Sequence, residues 1–202
     1  DFDDVKPDAA VVTMRWEKVA VPFKVHVNVN DIVTAGIHRQ MHGLNQYYWE
    51  GWDDAAQYFL ANKINLDEAL KDEDLSIQAE ERYDNLMNKS KILEAMGRKQ
   101  DAEAFRTQAL DKANALQLYI YARQLQGDKK QDQALAIFRS NAKKFPDYWT
   151  SHLGLARVYS AQGDFDNAVK ELKMSMTGAP EANKNTLEGY VKRLQAKEDI
   201  NR

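Results

Sequence analysis

The sequence predicts a mainly α-helical protein with a short β segment near its N-terminal end. Two observations support this fold class. From Ala56 onward, small residues recur at intervals of 32 to 34 residues in two registers, which is typical of a repeated helical unit. Before them, residues 12–30 alternate apolar and polar side chains with a period of two, which is typical of half-buried β-strands.

The β segment is predicted as an antiparallel hairpin within residues 1–30. Its strands are residues 12–17 and 23–30, joined by a link at residues 18–22. A lone hairpin is marginally stable in water. It therefore packs on the helices, pairs with another chain, or forms the end of a larger sheet. We expect the last of these, so that residues 1–30 are the end of a truncated β domain.

The helical repeat is clearest near the C-terminal end. Ala156 and Ala168 are predicted where two helices cross, because small side chains let the helix axes approach. Gly163 ends the first helix, since a left-handed backbone costs glycine little, and Pro180 stops the second. The equivalent crossing positions upstream are Ala56, Ser90 and Ala122 in first helices and Ala69, Ala102 and Ala134 in second helices.

The segment from Leu155 to Leu172 resembles the tetratricopeptide repeat (TPR), a 34-residue helix-turn-helix unit. The matching residues are Leu155, Ala156, Tyr159, Gly163, Asp164, Phe165, Ala168 and Leu172, closed by Pro180. The resemblance implies a right-handed α-solenoid of about four helical hairpins over residues 46–202. A linker helix at residues 31–45 is expected before the repeats. An amphipathic helix at residues 186–197, with Leu187, Tyr190, Val191 and Leu194 on one face, is expected to cap them.

A second resemblance concerns residues 12–23, Val-Thr-Met-Arg-Trp-Glu-Lys-Val-Ala-Val-Pro-Phe. They look like the end of a small β domain that precedes helical repeats in an uncharacterised family of exported bacterial proteins. This resemblance implies a periplasmic or cell-envelope location, with a cytoplasmic location as the alternative. The absence of cysteine leaves the compartment open.

Composition and motifs argue against several function classes. The net charge of -3 gives no electrostatic case for nucleic acid, and no apolar run is long enough for a membrane span. Catalytic motifs such as Gly-x-Ser-x-Gly and His-Glu-x-x-His are absent, so we predict neither an enzyme nor a cofactor. His38 and His42 lie four residues apart. We interpret them as surface or packing residues rather than metal ligands.

Candidate binding residues follow from the repeat register, because first helices line the concave groove of such arrays. The positions just after the first-helix crossing residues are Gln57, Lys91, Arg123 and Arg157; four positions earlier lie Asp53, Met87, Tyr119 and Leu153. A basic line beside an apolar and aromatic one suits an acidic or carboxylate-ended peptide with hydrophobic anchors. The alternative is that these cations are solvated or neutralised by neighbours such as Glu94.

The predicted function is therefore a non-catalytic scaffold that binds a peptide or partner segment in the concave groove. The alternative is a supporting or oligomerisation module of a larger exported protein whose N-terminal β domain carries the ligand-binding function. The exposed edge of the hairpin is, in addition, a candidate contact for a homodimer, since unpaired strand edges invite pairing.

Overall fold

The computed structural model describes residues 1–201, and the chain is mainly helical, as the sequence predicts. Two compact units, Asp1–Ala109 and Leu110–Arg202, divide within the fifth helix. The strands of the first unit are β1 (Phe2–Asp3), β2 (Ala9–Trp16) and β3 (Val19–His26), and a 3₁₀ turn spans Leu44–Tyr47. The helices are α1 (Val29–Gln40), α2 (Trp49–Asn62), α3 (Leu66–Ala79), α4 (Tyr83–Ala95), α5 (Lys99–Lys112), α6 (Ala115–Gly127), α7 (Gln131–Lys144), α8 (Trp149–Ala161), α9 (Phe165–Gly178) and α10 (Glu181–Gln195).

The three strands form an antiparallel sheet in the order β1-β2-β3. The predicted hairpin is present, but residues 18–22 are not the link between its strands, because β3 already begins at Val19. The chain reverses at Glu17, whose φ is 51°. The second strand ends at His26 rather than at residue 30, since Asn28 caps α1 by accepting a hydrogen bond from the Asp31 N–H at 3.3 Å.

Pro22 is tolerated inside β3 because the main-chain N–H and carbonyl of the residue opposite it, Thr13, point away from β3. The Thr13 N–H donates to the Asp1 carbonyl oxygen at 2.9 Å, and the Thr13 oxygen accepts from the N-terminal amine at 3.0 Å. The main chain of Thr13 thus faces β1, and the Thr13–Pro22 pair is a non-hydrogen-bonded pair of the β2–β3 ladder. The N–H that proline lacks would point to the free edge of β3, so no hydrogen bond of the β2–β3 ladder is lost.

One face of the sheet is apolar throughout, and we call it the apolar sheet face. From the strand register it comprises Phe2, Ala10, Val12, Met14, Trp16, Val19, Val21, Phe23 and Val25. The expectation of half-buried strands is wrong for β3, whose residues are all exposed. On this face Trp16 is 81% exposed and Phe2 is 76% exposed, whereas Ala10 and Val12 are half-buried.

The helices pair as the repeat register predicts. All the crossing residues are buried: Ala56, Ala69, Ser90, Ala102, Ala122, Ala134, Ala156 and Ala168. At the α4–α5 crossing, the Ser90 Oγ donates to the Ala102 carbonyl oxygen at 2.7 Å. A larger side chain at these positions would force the axes apart, at a cost of about 1–3 kcal/mol.

The turn between the two helices of each hairpin also repeats. Gly163 has a φ of 75° and Gly97 a φ of 80°, so the predicted glycine turn is confirmed. Lys63 and Lys129 adopt the same left-handed backbone at the matching positions, with φ values of 55° and 61°. Backbone geometry is thus kept even where glycine is absent.

The C-terminal helix closes the second unit. α10 begins at Glu181, directly after Pro180 and earlier than predicted, and it packs on α9. Its predicted apolar face is confirmed, since Leu187 and Leu194 are buried with Leu172 in one cluster. After α10, Lys197 adopts a left-handed backbone with a φ of 60°, and the chain returns across the helices.

Candidate functional site

First helices lie against each other in both units, α2 with α4 and α6 with α8. The predicted groove residues fall on these pairs, and each unit is considered by itself. The first unit carries Asp53, Gln57, Met87 and Lys91; the second carries Tyr119, Arg123, Leu153 and Arg157.

In the first unit, Asp53 has a structural role. Its side chain is buried; Oδ2 accepts from the Gln57 Nε2 at 2.6 Å and Oδ1 from the Asn88 Nδ2 at 2.7 Å. Both oxygens are thus engaged within the unit. Met87 is buried as well, whereas Gln57 and Lys91 are exposed. The expectation that Asp53 and Met87 line an accessible groove is therefore wrong.

A buried acid lies beside Asp53. Glu73 has no exposed surface, and its burial, together with the negative charge of Asp53, raises its pKa to about 10, so Glu73 is neutral at pH 7. Burial and the charge of Glu68 raise the pKa of Asp72 to about 6. The repeat register could have located this acid, because Glu73 stands four residues after Ala69, as the buried Leu172 stands four residues after Ala168.

Arg157 is the largest departure from the predicted site. Its side chain is only 1% exposed. Its Nε donates to the Tyr119 Oη at 3.1 Å, its Nη1 to the Ile200 carbonyl oxygen at 2.8 Å, and its Nη2 to the Tyr190 Oη at 3.2 Å. The expectation of a free cation at this position is wrong, because the end of the chain covers it. The repeat register holds no signal for that contact. Leu153 is buried in the same region.

Two cations of the predicted line are accessible, one in each unit. Lys91 is exposed and forms no ion pair within residues 1–201. The neighbour expected to neutralise it, Glu94, instead pairs with Arg106 at 2.7 Å. Arg123 is exposed and donates to the Gln126 Oε1 at 2.7 Å. Tyr119, half-buried on α6, lies one helical turn from Arg123.

The second unit holds a short turn of its own chain on α8, formed at Ile200 and Asn201. Ile200 is 3% exposed, and its N–H donates to the Ser160 Oγ at 3.0 Å. The Ser160 Oγ in turn donates to the Asp199 Oδ1 at 2.8 Å. Asn201 accepts from the Gln126 Nε2 at 2.7 Å and donates to the Arg157 carbonyl oxygen at 2.9 Å. Residues 199–201, which we call the C-terminal segment, are thus held through main chain and side chains alike.

The histidines do not form a metal centre among the described residues. His38 pairs with Glu68 instead of His42, and the His152 Nδ1 lies 2.7 Å from the Glu171 Oε2. No group of three or more His, Cys, Asp or Glu within residues 1–201 is arranged to hold a metal ion. Across the same residues, no helix has the length and apolar character that crossing a membrane requires.

Comparisons with known proteins address the fold alone. No protein-family model matches the chain, and no curated protein is significantly similar to it in sequence. Among solved structures, it is similar to YrrB, described as a TPR protein with an unusual peptide-binding site. The identity is 14% and the TM-score 0.43, over 81% of this chain and 83% of the other. At this degree of likeness, the peptide-binding site remains a property of YrrB.

Proposed function

We propose that this chain is a non-catalytic interaction scaffold whose first helices bind a peptide segment of a partner protein. The observation that carries the proposal is the equivalent placement of Lys91 and Arg123. Each follows the crossing residue of a first helix, and each is exposed. Neither cation is needed for an internal ion pair among the described residues, so both are free to meet a ligand.

The chemistry of these positions favours an acidic partner. An ammonium or guanidinium group forms charge-assisted hydrogen bonds to carboxylates, and such bonds are about twice as strong as neutral ones. Half-buried Tyr119 beside Arg123 offers a surface for an apolar anchor of the same peptide. A short peptide with carboxylates and one or two large apolar residues fits both features.

Charge reversal tests the proposal. The probe is a fluorescein-labelled peptide of alternating Glu and Leu with a free C-terminal carboxylate, measured by fluorescence anisotropy. Each unit is tested by itself: Lys91→Glu should weaken binding to the first unit, and Arg123→Glu binding to the second, at least tenfold in each case. Raised salt should weaken binding to the unaltered chain. Matched controls reverse exposed lysines on second helices, Lys99→Glu and Lys173→Glu. Equal losses in the controls would show non-specific attraction and contradict the proposal.

A second candidate function is a supporting or oligomerisation module of a larger exported protein whose β domain carries the ligand-binding function. The observation that favours it is the apolar sheet face. Taking ~150–250 Å² for a whole aromatic side chain, the exposed residues of this face present on the order of 700 Å² of apolar surface. Monomeric proteins seldom expose contiguous apolar patches above a few hundred Å².

In this second candidate function, the apolar sheet face is covered by the same face of a second copy of the chain. Two such faces together would bury roughly 1,400 Å², which lies within the range of stable interfaces. The face carries no charged side chain, so two copies meet without repulsion. The edge of β3, which the sequence suggested as a dimer contact, is less suited, because Pro22 leaves it without a donor at its centre.

Sedimentation equilibrium tests this second candidate. The unaltered chain should dimerise at micromolar concentration. Trp16→Lys should render it monomeric, whereas Lys24→Ser on the opposite face should leave the dimer intact. A dimer that persists in Trp16→Lys would point to the strand edge instead. A monomer at high concentration would contradict self-association through either surface.

We also propose a periplasmic or cell-envelope location, supported by the resemblance of residues 12–23 to an exported β domain. Fractionation of source cells, followed by immunodetection, tests it. Recovery with a cytoplasmic marker would contradict the proposal.

A further inference from the structure

The C-terminal segment lies on α6 and α8 in the way that a bound peptide would. One apolar side chain, Ile200, is buried, and both the N–H and the carbonyl oxygen of that residue are bonded to side chains of α8. Asp199 on one side and Asn201 on the other are each bonded to a helix. An apolar anchor, main-chain bonds and flanking polar contacts are the elements by which a protein recognises a peptide segment.

The helices present groups suited to main-chain recognition. Arg157 and Ser160 are 1% and 2% exposed, yet both direct polar atoms at the main chain of Ile200. Because residues 199–201 cover these two side chains, the Arg157 Nη1 and the Ser160 Oγ would be open to water without them. The same two groups would then be available to the main chain of another peptide.

We propose that the surface of α6 and α8 around Arg157 and Ser160 is a peptide-binding site that the C-terminal segment occupies in cis. The site takes a peptide that turns as residues 199–201 do, with an acid, a branched aliphatic residue and an amide in succession, as in Asp199, Ile200 and Asn201. This inference rests on the proposed scaffold function, and it specifies which residues a peptide must carry to bind the second unit. A partner peptide binds by displacing the segment.

The segment is suited to exchange because its attachment is short. The left-handed turn at Lys197 follows the last buried leucine of α10, Leu194, by three residues. Release of residues 199–201 requires rotation at this turn. It also breaks the 2.7 Å hydrogen bond that the Arg193 Nη2 donates to the Asp199 carbonyl oxygen and removes Ile200 from the cluster of Leu187 and Leu194. Tethered in cis, the segment competes with a free peptide at an effective concentration in the millimolar range, so only a partner that makes further contacts displaces it.

Arg123 supplies such a further contact. It lies on α6 three residues before Gln126, which bonds Asn201, and its guanidinium donates to the same Gln126 side chain. A partner peptide that continues beyond the amide position with an acidic residue would reach Arg123. Residues 199–201 form no ion pair with Arg123, whose guanidinium donates to Gln126, so the partner gains an interaction that these residues lack.

The test uses the full chain and a labelled peptide of its own last residues, Ala-Lys-Glu-Asp-Ile-Asn-Arg. Ile200→Asp in the protein removes the apolar anchor from the cis segment. This variant should bind the peptide at least tenfold more tightly than the unaltered chain, measured by fluorescence anisotropy. Glu198→Gln, an exposed change beside the segment, should bind like the unaltered chain. A peptide carrying Asp in place of its Ile should not bind the variant.

A second variant guards against misfolding. Termination after Lys197 removes the segment entirely, and circular dichroism reports whether the helices of either variant remain. Absence of peptide binding to a folded variant would overturn the proposal. Loss of helical structure in both variants would overturn it too, because the segment would then be part of the fold. The Lys91→Glu variant tests the first unit separately. The proposed scaffold function and the site around Arg157 and Ser160 can therefore fail independently of each other.

Discussion

The Oγ of Ser175 on α9 donates a 2.8 Å hydrogen bond to the main-chain oxygen of Trp149 at the start of α8. The same relationship occurs twice more. Ser76 donates to the Trp49 oxygen at 2.9 Å, and the Asn141 Nδ2 donates to the Ala115 oxygen at 2.9 Å. Each donor lies seven residues after the second-helix crossing alanine, and each is buried. One hydrogen bond thus ties the two helices of a hairpin together at their open end.

Replacement of this donor should destabilise the hairpin. In Ser175→Ala, the carbonyl oxygen of Trp149 loses its side-chain partner, and such a loss costs about 1–2 kcal/mol. Urea denaturation followed by circular dichroism gives the free energy of unfolding. Thr177→Ala, on the same helix but exposed, is the control and should stay within about 0.5 kcal/mol of the unaltered chain. Equal losses in the free energy of unfolding would show that the Ser175 hydrogen bond stabilises the hairpin no more than the exposed Thr177 does.

Much of the helical fold could be predicted from this register. The crossing alanines, the turn at Gly163 and the capping leucines all followed from a 34-residue period, because local backbone and packing needs repeat with it. The hairpin donors were also within reach of the sequence, since buried Ser or Asn recurs at one repeat position. At the matching position the α4–α5 hairpin has Ala109, which breaks the pattern.

The candidate site was predicted less well, for a physical reason. Lys91 and Arg123 are exposed as expected, because their positions follow from the register alone. Arg157 is equivalent by register but lies beneath residues 199–201, a contact between positions about forty residues apart. No local pattern encodes that contact. Likewise, residues 18–22 were expected to be the link between the strands, whereas Pro22 lies within β3, because the main chain of Thr13 opposite it bonds to Asp1.

Removal of the Arg157 side chain should destabilise the second unit. Arg157→Ala leaves a cavity and takes away the partner of the Ile200 carbonyl oxygen, so we expect a loss of about 2–4 kcal/mol. Arg123→Ala on exposed surface is the matched control, with a change within about 0.5 kcal/mol. Thermal unfolding monitored by circular dichroism compares the two. A stable Arg157→Ala variant would mean that residues 199–201 contribute little to the fold.

Glu73 should make the stability of the first unit depend on pH. Its pKa is about 10 in the folded chain and 4.5 is its ordinary value, so above about pH 4.5 only the folded state keeps the proton. Stability is therefore full below that pH and falls as the pH rises toward 10. Between about pH 7 and pH 9 the loss should be roughly 2–3 kcal/mol, and Glu73→Gln should remove it.

The control for this pH effect is Asp72→Asn. Because the pKa of Asp72 is about 6, its own loss of stability is complete near neutral pH, and the slope above pH 7 should persist in this variant. Urea denaturation at several pH values measures both variants. A slope above pH 7 that survives in Glu73→Gln would assign the effect to another group.

Gly154 should resist substitution because α8 meets a neighbouring side chain there. A Cβ at this position would lie 2.9 Å from Cδ1 of Phe138 on α7, which is too close for two carbon atoms. Gly154→Ala should therefore cost about 1–3 kcal/mol despite the better helix propensity of alanine. Gly189→Ala on α10 meets nothing within 4 Å and should stabilise the chain by about 0.5–1 kcal/mol. Urea denaturation measures both variants. A midpoint that falls in Gly154→Ala and rises in Gly189→Ala would identify Gly154 as a contact point between neighbouring hairpins. A midpoint that rises in Gly154→Ala would show that α7 and α8 can move apart without loss of stability.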